Sequence, residues 1–522
     1  MLKKLHGRKL AVCLIGGAMY ALFSAFGWQA EHGGVIWAGG ALLVAALLVW
    51  PIAALLAVLL ERGYTRTLRQ EKTFRAGRAF AFILACYVPM FCVAFPGSFA
   101  YDVPYQLRQV VTGAYSTHHP LLHTLALGGL LQLGRALGDI NLGAALYTAL
   151  QMALLAGCFA LTCGSIARQS GARAAKRAAV FFALYPLNMV MAVNATKDVL
   201  FGGFFALTLA LLNEMQEKPS RGLALKIAAC GALAVMLRNN MAYAALVWLA
   251  ILTIGLRKAE KSAALAMLLA LAVGLCGNVA LKHATRAESG DMSEMLSWPI
   301  QQLARARLYD EERLTDAEKE AIDELMPGEA WACYDPTISD PVKFEFDTQA
   351  FRADVKKYVG VWLSVGKKCA GTYLDATMAL TYPFFYPYRE YRVSGYYVQM
   401  GMSDAYDAGW CDFDPPESRS LFPRALASLS WRFGAKGAMQ IPVVGWLFNM
   451  GVIVWTMLFF ALREMYWGRW RRFGTALLPV LLWGTFLLGP VMAGRYIYPF
   501  VCALPVLAAR PGRSVKEAER HG

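Results

Sequence analysis

Apolar residues in this chain fall in long blocks, and that property restricts the fold more than any motif does. A helix of roughly 17 to 25 apolar residues matches the hydrocarbon thickness of a bilayer. Such blocks lie near residues 9–28, 34–60, 79–96, 141–166, 178–195, 199–213, 222–237, 241–256, 262–282, 441–462, 473–492 and 496–510. With 57% hydrophobic and 17% charged residues over 522 positions, the chain has more apolar surface than a soluble fold can bury. The expectation is an all-α polytopic membrane protein with about twelve transmembrane helices and a mainly helical external region.

Basic flanks of short loops stay cytoplasmic. Under a twelve-crossing count, MLKKLHGRK, the loop ERGYTRTLRQEKTFRAGR, ARQSGARAAKR, RKAEK, REMYWGRWRR and the tail RPGRSVKEAERHG all fall on one side. Both termini are therefore expected in the cytoplasm, with the first block retained as a helix rather than cleaved. Residues 283–440 carry 24 Asp and Glu against 17 Lys and Arg, whereas the rest of the chain carries 12 against 34. The net charge of +15 thus describes cytoplasmic loops, and nucleic acid is not an expected partner.

Four regions follow: N-terminal helices with a basic cytoplasmic loop (1–78), a transmembrane core (79–282) with a first external loop at 97–140, an extracytoplasmic region (283–440), and C-terminal helices with a basic tail (441–522). In the external region, TDAEKEAIDELMPG places Thr315 and Glu318 at capping-box spacing and stops at Pro327-Gly328, so a short soluble helix is expected. SEMLSWPIQQLARARLYD suits a helix lying on the membrane or on the core. The segment 370–390, broken by Pro383 and Pro387, suits an interfacial or re-entrant helix. Cys333, Cys369 and Cys411 are the external cysteines and allow one disulfide in an oxidising space.

Ionisable groups at membrane depth or at the external ends of helices are functional-site candidates by default. The segment FPGSFAYDVPYQLRQVVTGAYSTHHP carries Asp102, with Gln106, Tyr115, His118 and His119 nearby and His123 beyond. Asp102 suits a helix cap, a general base toward a hydroxyl, or a ligand to a divalent cation such as Mg or Mn. His119 and His123 are four apart and share a helical face, without the glutamate of an HExxH site. MAVNATKDVLFGG sets Lys197 and Asp198 at a helix mouth, where neighbouring side chains diverge by about 100° and need not pair. MLRNNMAYA offers the fork of Arg238, and GPVMAGRYIYPF offers Arg495. Forked cations suit a phosphate oxygen.

In their order, an Asp after PG in the first large external loop, HHPLLH, KD, RNN and RYxxP resemble the GT-C superfamily of polyprenyl-phosphate-dependent membrane glycosyltransferases, and more closely a bacterial family related to it. SEMLSWPIQQLAR and YDPTISDPVKF add to the likeness, which spans about residues 80–510. The resemblance implies Asp102 as the catalytic carboxylate, Asp198 as a second acidic residue at an acceptor site, and Arg495, Arg238 and Lys197 on the donor phosphate. Gln106, Tyr115, His118, His119 and His123 would then contact substrate. A DxD or ExD pair beside Asp102 and a WWDYG motif are both lacking. The implied partners are a polyprenyl-phosphate-linked sugar donor, an envelope glycan or lipid acceptor, and the cell-membrane bilayer. A polysaccharide polymerase or ligase, or a flippase for a lipid-linked saccharide, are the rival expectations.

Overall fold

The computed structural model describes residues 2, 5–32, 39–62, 73–253, 258–387, 398–402, 415–433 and 441–510. Among them the chain is helical, and its only extended pairings are isolated bridges. The first half forms α1 (Arg8–His32), α2 (Gly39–Arg62), α3 (Ala76–Ala94), α4 (Val103–Thr112), α5 (Leu121–Ala136), α6 (Ile140–Ser170), α7 (Ala172–Leu184), α8 (Pro186–Ala192), α9 (Lys197–Glu217), α10 (Arg221–Leu237), α11 (Asn239–Thr253) and α12 (Lys258–Thr285).

Six of these helices, α1, α2, α3, α6, α9 and α12, are long and apolar enough to cross a membrane. The protein is therefore an all-α membrane protein. The apolar block expected at 178–195 is not one continuous helix. It breaks between α7 and α8, because Pro186 has no N–H to donate and forces extended geometry on Tyr185, whose φ and ψ are −66° and 120°.

The segment expected to be external folds as α13 (Ser297–Tyr309), α14 (Asp316–Leu325), α15 (Asp340–Lys343), α16 (Thr348–Ala353), α17 (Val355–Lys368) and α18 (Ala370–Thr381). Its own apolar core gathers Ile300, Leu303, Ile322, Leu325, Val342 and Val365. The expected capping box is present: the Glu318 amide donates to Thr315 Oγ1 at 3.3 Å and the Thr315 amide to Glu318 Oε2 at 2.9 Å. One side of α13 buries Ile300 and Leu303 in this core, while its Trp298 reaches the helix bundle at Leu487. At twelve residues, α18 rises about 18 Å, short of a bilayer crossing. Cys333 is an exposed free thiol and Cys369 a buried one, while Cys411 lies outside the described residues.

The chain closes with α19 (Pro423–Phe433), α20 (Met450–Tyr466), α21 (Trp470–Leu487) and α22 (Tyr498–Ala508). Its last apolar blocks thus give helices shorter than those expected from 441–462 and 496–510.

Interdigitation at glycines lets the bundle close tightly. A Cβ on Gly134 of α5 would stand 2.3 Å from the Gly143 amide of α6, so only glycines permit this crossing. The two ends of the bundle differ in chemistry. One is closed by Lys9 on Glu61 at 2.6 Å, Arg168 on Glu214 at 2.5 Å and Arg463 on Glu464 at 2.6 Å. At the other, Ser98 pairs with Asn194, Ser116 with Glu288, and Trp298 Nε1 of α13 donates to the Leu487 carbonyl at 2.7 Å. The external domain thus stands on the end where α3, α8, α12 and α21 finish.

Candidate functional site

Local geometry sets up the site before any long-range contact does. Gly97 sits at φ +145°, and a Cβ there would meet Thr148 Oγ1 at 2.2 Å, so the turn after α3 requires glycine. From it the chain runs alongside residues 193–195: the Ser98 amide donates to the Val193 carbonyl and the Ala195 amide to the Ser98 carbonyl, both at 2.8 Å. That pairing brings the start of α4 against the start of α9. Asp102 occupies the N-cap position of α4, yet its side chain makes no capping bond.

The carboxylate is gripped instead by distant residues. Lys197 Nζ donates to Asp102 Oδ2 at 2.8 Å, and Arg495 donates through Nη1 to Oδ2 at 3.1 Å and through Nη2 to Oδ1 at 3.2 Å. The fork-on-carboxylate geometry fixes orientation as well as charge. Beneath it, Arg238 Nε donates to Asp198 Oδ1 at 2.5 Å, and Arg495 Nε stands 3.9 Å from Asp198 Oδ2. Asp198 is fully buried, whereas the Asp102 side chain keeps 22% of its exposure. Aromatic faces hold both guanidinium groups. Arg238 lies 4.7 Å from the Phe486 ring centre and 4.6 Å from that of Tyr496, and Arg495 lies 4.5 Å from Tyr101.

Asp102, Lys197, Arg238, Arg495 and Tyr496 line a cavity of about 420 Å³ together with Tyr105, His118, His119, Asn239 and Asn240. The external domain supplies the opposite wall through Glu294, Asp340, Lys343 and Phe344. Lys343 Nζ is held between Glu294 Oε1 at 2.7 Å and Asp340 Oδ1 at 2.6 Å. Burial works against ionisation of Asp102, but Arg495 and then Lys197 outweigh it and hold the carboxyl well below the usual carboxylate range. Burial takes His119 the other way, down to about 3, so its imidazole is neutral at physiological pH despite facing Asp102.

The structure gathers five of the residues singled out from sequence, Asp102, Asp198, Lys197, Arg238 and Arg495, into one ionic cluster, and places His118 and His119 on the cavity wall. Gln106, Tyr115 and His123 do not line it. Gln106 is buried and donates to Thr124 Oγ1 at 3.0 Å, with its amide also 3.0 Å from His123 Nδ1. His123 Nε2 meets the Tyr147 hydroxyl, which donates to Gln151. These side chains serve a buried network that ties α4, α5 and α6 together, because the apolar helix faces leave their polar atoms no other partner. Tyr115 contributes its carbonyl to the Glu288 amide.

Glu294, Asp340 and Lys343 had no assigned role, although they sit inside the two stretches, SEMLSWPIQQLAR and YDPTISDPVKF, that carried the resemblance. Only the docking of the external domain shows that they face Asp102. The donor set does not fit a divalent cation. Among the described residues no three His, Cys, Asp or Glu side chains converge, and Asp102 is already neutralised by two cations.

No curated protein and no solved structure matches the chain. Residues 111–521 match the model described as "Family of unknown function (DUF6020)", which takes in Lys197, Asp198, Arg238 and Arg495 while Asp102 lies just before it, and the chain belongs to that family.

Proposed function

We propose that the protein is an integral membrane glycosyltransferase of GT-C type, in which about twelve membrane-crossing segments present the Asp102 cavity on the external face. It would move a sugar from a polyprenyl-phosphate carrier to a hydroxyl of an envelope glycan, lipid or polymer. The observation that carries this reading is the bidentate Arg495 and the Lys197 ammonium on Asp102, at a cavity mouth on the end of an apolar helix bundle.

The chemistry asks for cations on a leaving phosphate, an acceptor for a hydroxyl proton, and aromatic walls for a sugar ring. Arg495 and Lys197 supply the first, Asp102 the second, and Tyr105, Phe344 and Tyr496 the third. In the transfer, the acceptor oxygen forms a bond to the anomeric carbon as the bond from that carbon to the phosphate oxygen breaks. The electron pair stays on the phosphate beside Arg495 and Lys197, and the hydroxyl proton passes to Asp102.

The direct test is purified Asp102→Asn protein in a lipid-donor assay with a polyprenyl-phosphate sugar. Transfer at the wild-type rate by a folded variant would sink the proposal.

A further inference from the structure

We infer that the Asp102 carboxylate is an internal stand-in for the phosphate group of the ligand, occupying the cationic cradle until a phosphate ester displaces it. The inference rests on the glycosyltransferase reading for the identity of the lipid, but not for the chemistry of the cradle.

Three observations point the same way. First, the cradle has donors that the carboxylate does not reach. Lys197 Nζ and both terminal nitrogens of Arg495 reach Asp102, while Arg495 Nε and His119 Nδ1 are buried without a hydrogen-bond partner. His119 is only 5% exposed and its Nδ1 stops 3.8 Å from Asp102 Oδ2, beyond hydrogen-bond reach. A planar carboxylate has two oxygens, whereas a phosphate ester presents more, spread tetrahedrally. It can meet the fork, the ammonium and an Nδ1–H imidazole together.

Second, the two carboxylates of the cluster are not equivalent. Asp198 is fully buried and anchors Arg238 and Arg495 from below, so the cradle keeps its shape when Asp102 leaves. Asp102 is partly exposed at the cavity mouth and is not tied up in capping α4.

Third, the residue before it is strained and held. Tyr101 keeps φ +55°, a left-handed conformation that costs a non-glycine residue energy and that clusters at ligand clamps and switch regions, and its hydroxyl accepts from the Gln399 amide. The consequence is functional coupling. In the closed pairing Asp102 is a weak base; once phosphate draws Arg495 and Lys197 away, its affinity for a proton rises beside the acceptor. The base is thereby switched on by the leaving group it must assist.

The test is equilibrium binding to the full-length protein in nanodiscs, with undecaprenyl phosphate and inorganic phosphate as separate probes. Melting curves confirm folding of each variant. Asp102→Asn and Asp102→Ser are expected to bind phosphate about tenfold or more tightly than wild type, and Lys197→Gln about tenfold more weakly. Glu324→Gln removes a carboxylate outside the cavity, where it accepts from the Tyr358 hydroxyl, and is expected to change affinity less than about threefold.

Tightening with inorganic phosphate alone, with undecaprenyl phosphate failing to bind any form, upholds the stand-in and overturns the lipid-donor reading. Undecaprenyl phosphate binding that is unchanged or weakened in both Asp102 variants overturns the stand-in and leaves that reading intact. Equal tightening by Glu324→Gln, or no binding of either probe to any form, overturns the stand-in as well.

Discussion

Arg495 and Asp102, 393 residues apart in sequence, meet through two parallel contacts of 3.1 and 3.2 Å, closing the last short helix of the bundle onto the first external loop. Because the Arg495 fork also faces Asp198, one side chain links both acidic residues of the cluster.

Asp102→Asn keeps the shape of the side chain and removes its basicity. Transfer from a polyprenyl-phosphate donor is expected to fall by about 10² or more, in line with loss of a general base. The fall should appear in kcat, and melting curves should show the variant still folded, because Asp198 continues to hold Arg238 and to face Arg495.

Asp198→Asn should behave differently. It leaves Arg238, only 7% exposed, buried without its counter-charge, at a cost of about 3–5 kcal/mol. Fluorescence-detected size exclusion of the detergent-solubilised protein should show loss of the monodisperse peak for this variant and its retention for Asp102→Asn. Equal stability of the two would contradict the division of labour between the carboxylates.

Gln151→Leu probes the polar network beneath the site. Gln151 Nε2 donates to the Ala192 carbonyl at 3.0 Å and the Asn194 carbonyl at 2.8 Å, pinning the turn that leads to Lys197. Leucine fills the space and leaves those acceptors unpaired, costing about 1–3 kcal/mol. Thermal melts should show the loss, and phosphate affinity should weaken with it because Lys197 is less firmly placed.

Glu318 gives the external domain a pH dependence of known sign. Burial raises its carboxyl, but Lys368, Ser364 and the Thr315 amide outweigh that and hold it at about 2, against an ordinary value of 4.5. A depressed folded value means stability present in full above pH 4.5 and lost as pH falls toward 2. In melts followed by circular dichroism, the gap between wild type and Glu318→Gln should hold from pH 7 to about pH 5 and narrow from pH 4.5 toward pH 2. A gap that stays constant would rule out this linkage.

The sequence by itself determined the class of the protein, its apolar helices, the capping box at Thr315 and the residue types at the site. Those properties follow from local chemistry: an apolar block must leave water wherever it ends up, and an N-cap is satisfied within three residues. It also placed Asp102, Lys197, Asp198, Arg238 and Arg495 among the groups to watch, because ionisable residues amid apolar blocks are few.

Pairing was decided only by the tertiary structure. Lys197 and Asp198 are adjacent, yet one turns to Asp102 and the other to Arg238, a choice set by where α4 begins and α10 ends. Gln106 and His123 read as site residues from the same segment as Asp102, but face the α5 and α6 packing because that side of α4 is buried. The wall formed by Glu294, Asp340 and Lys343 likewise depends on how the external domain and the bundle close on each other. Partner choice among like groups is a long-range property of packing, and residue type alone does not encode it.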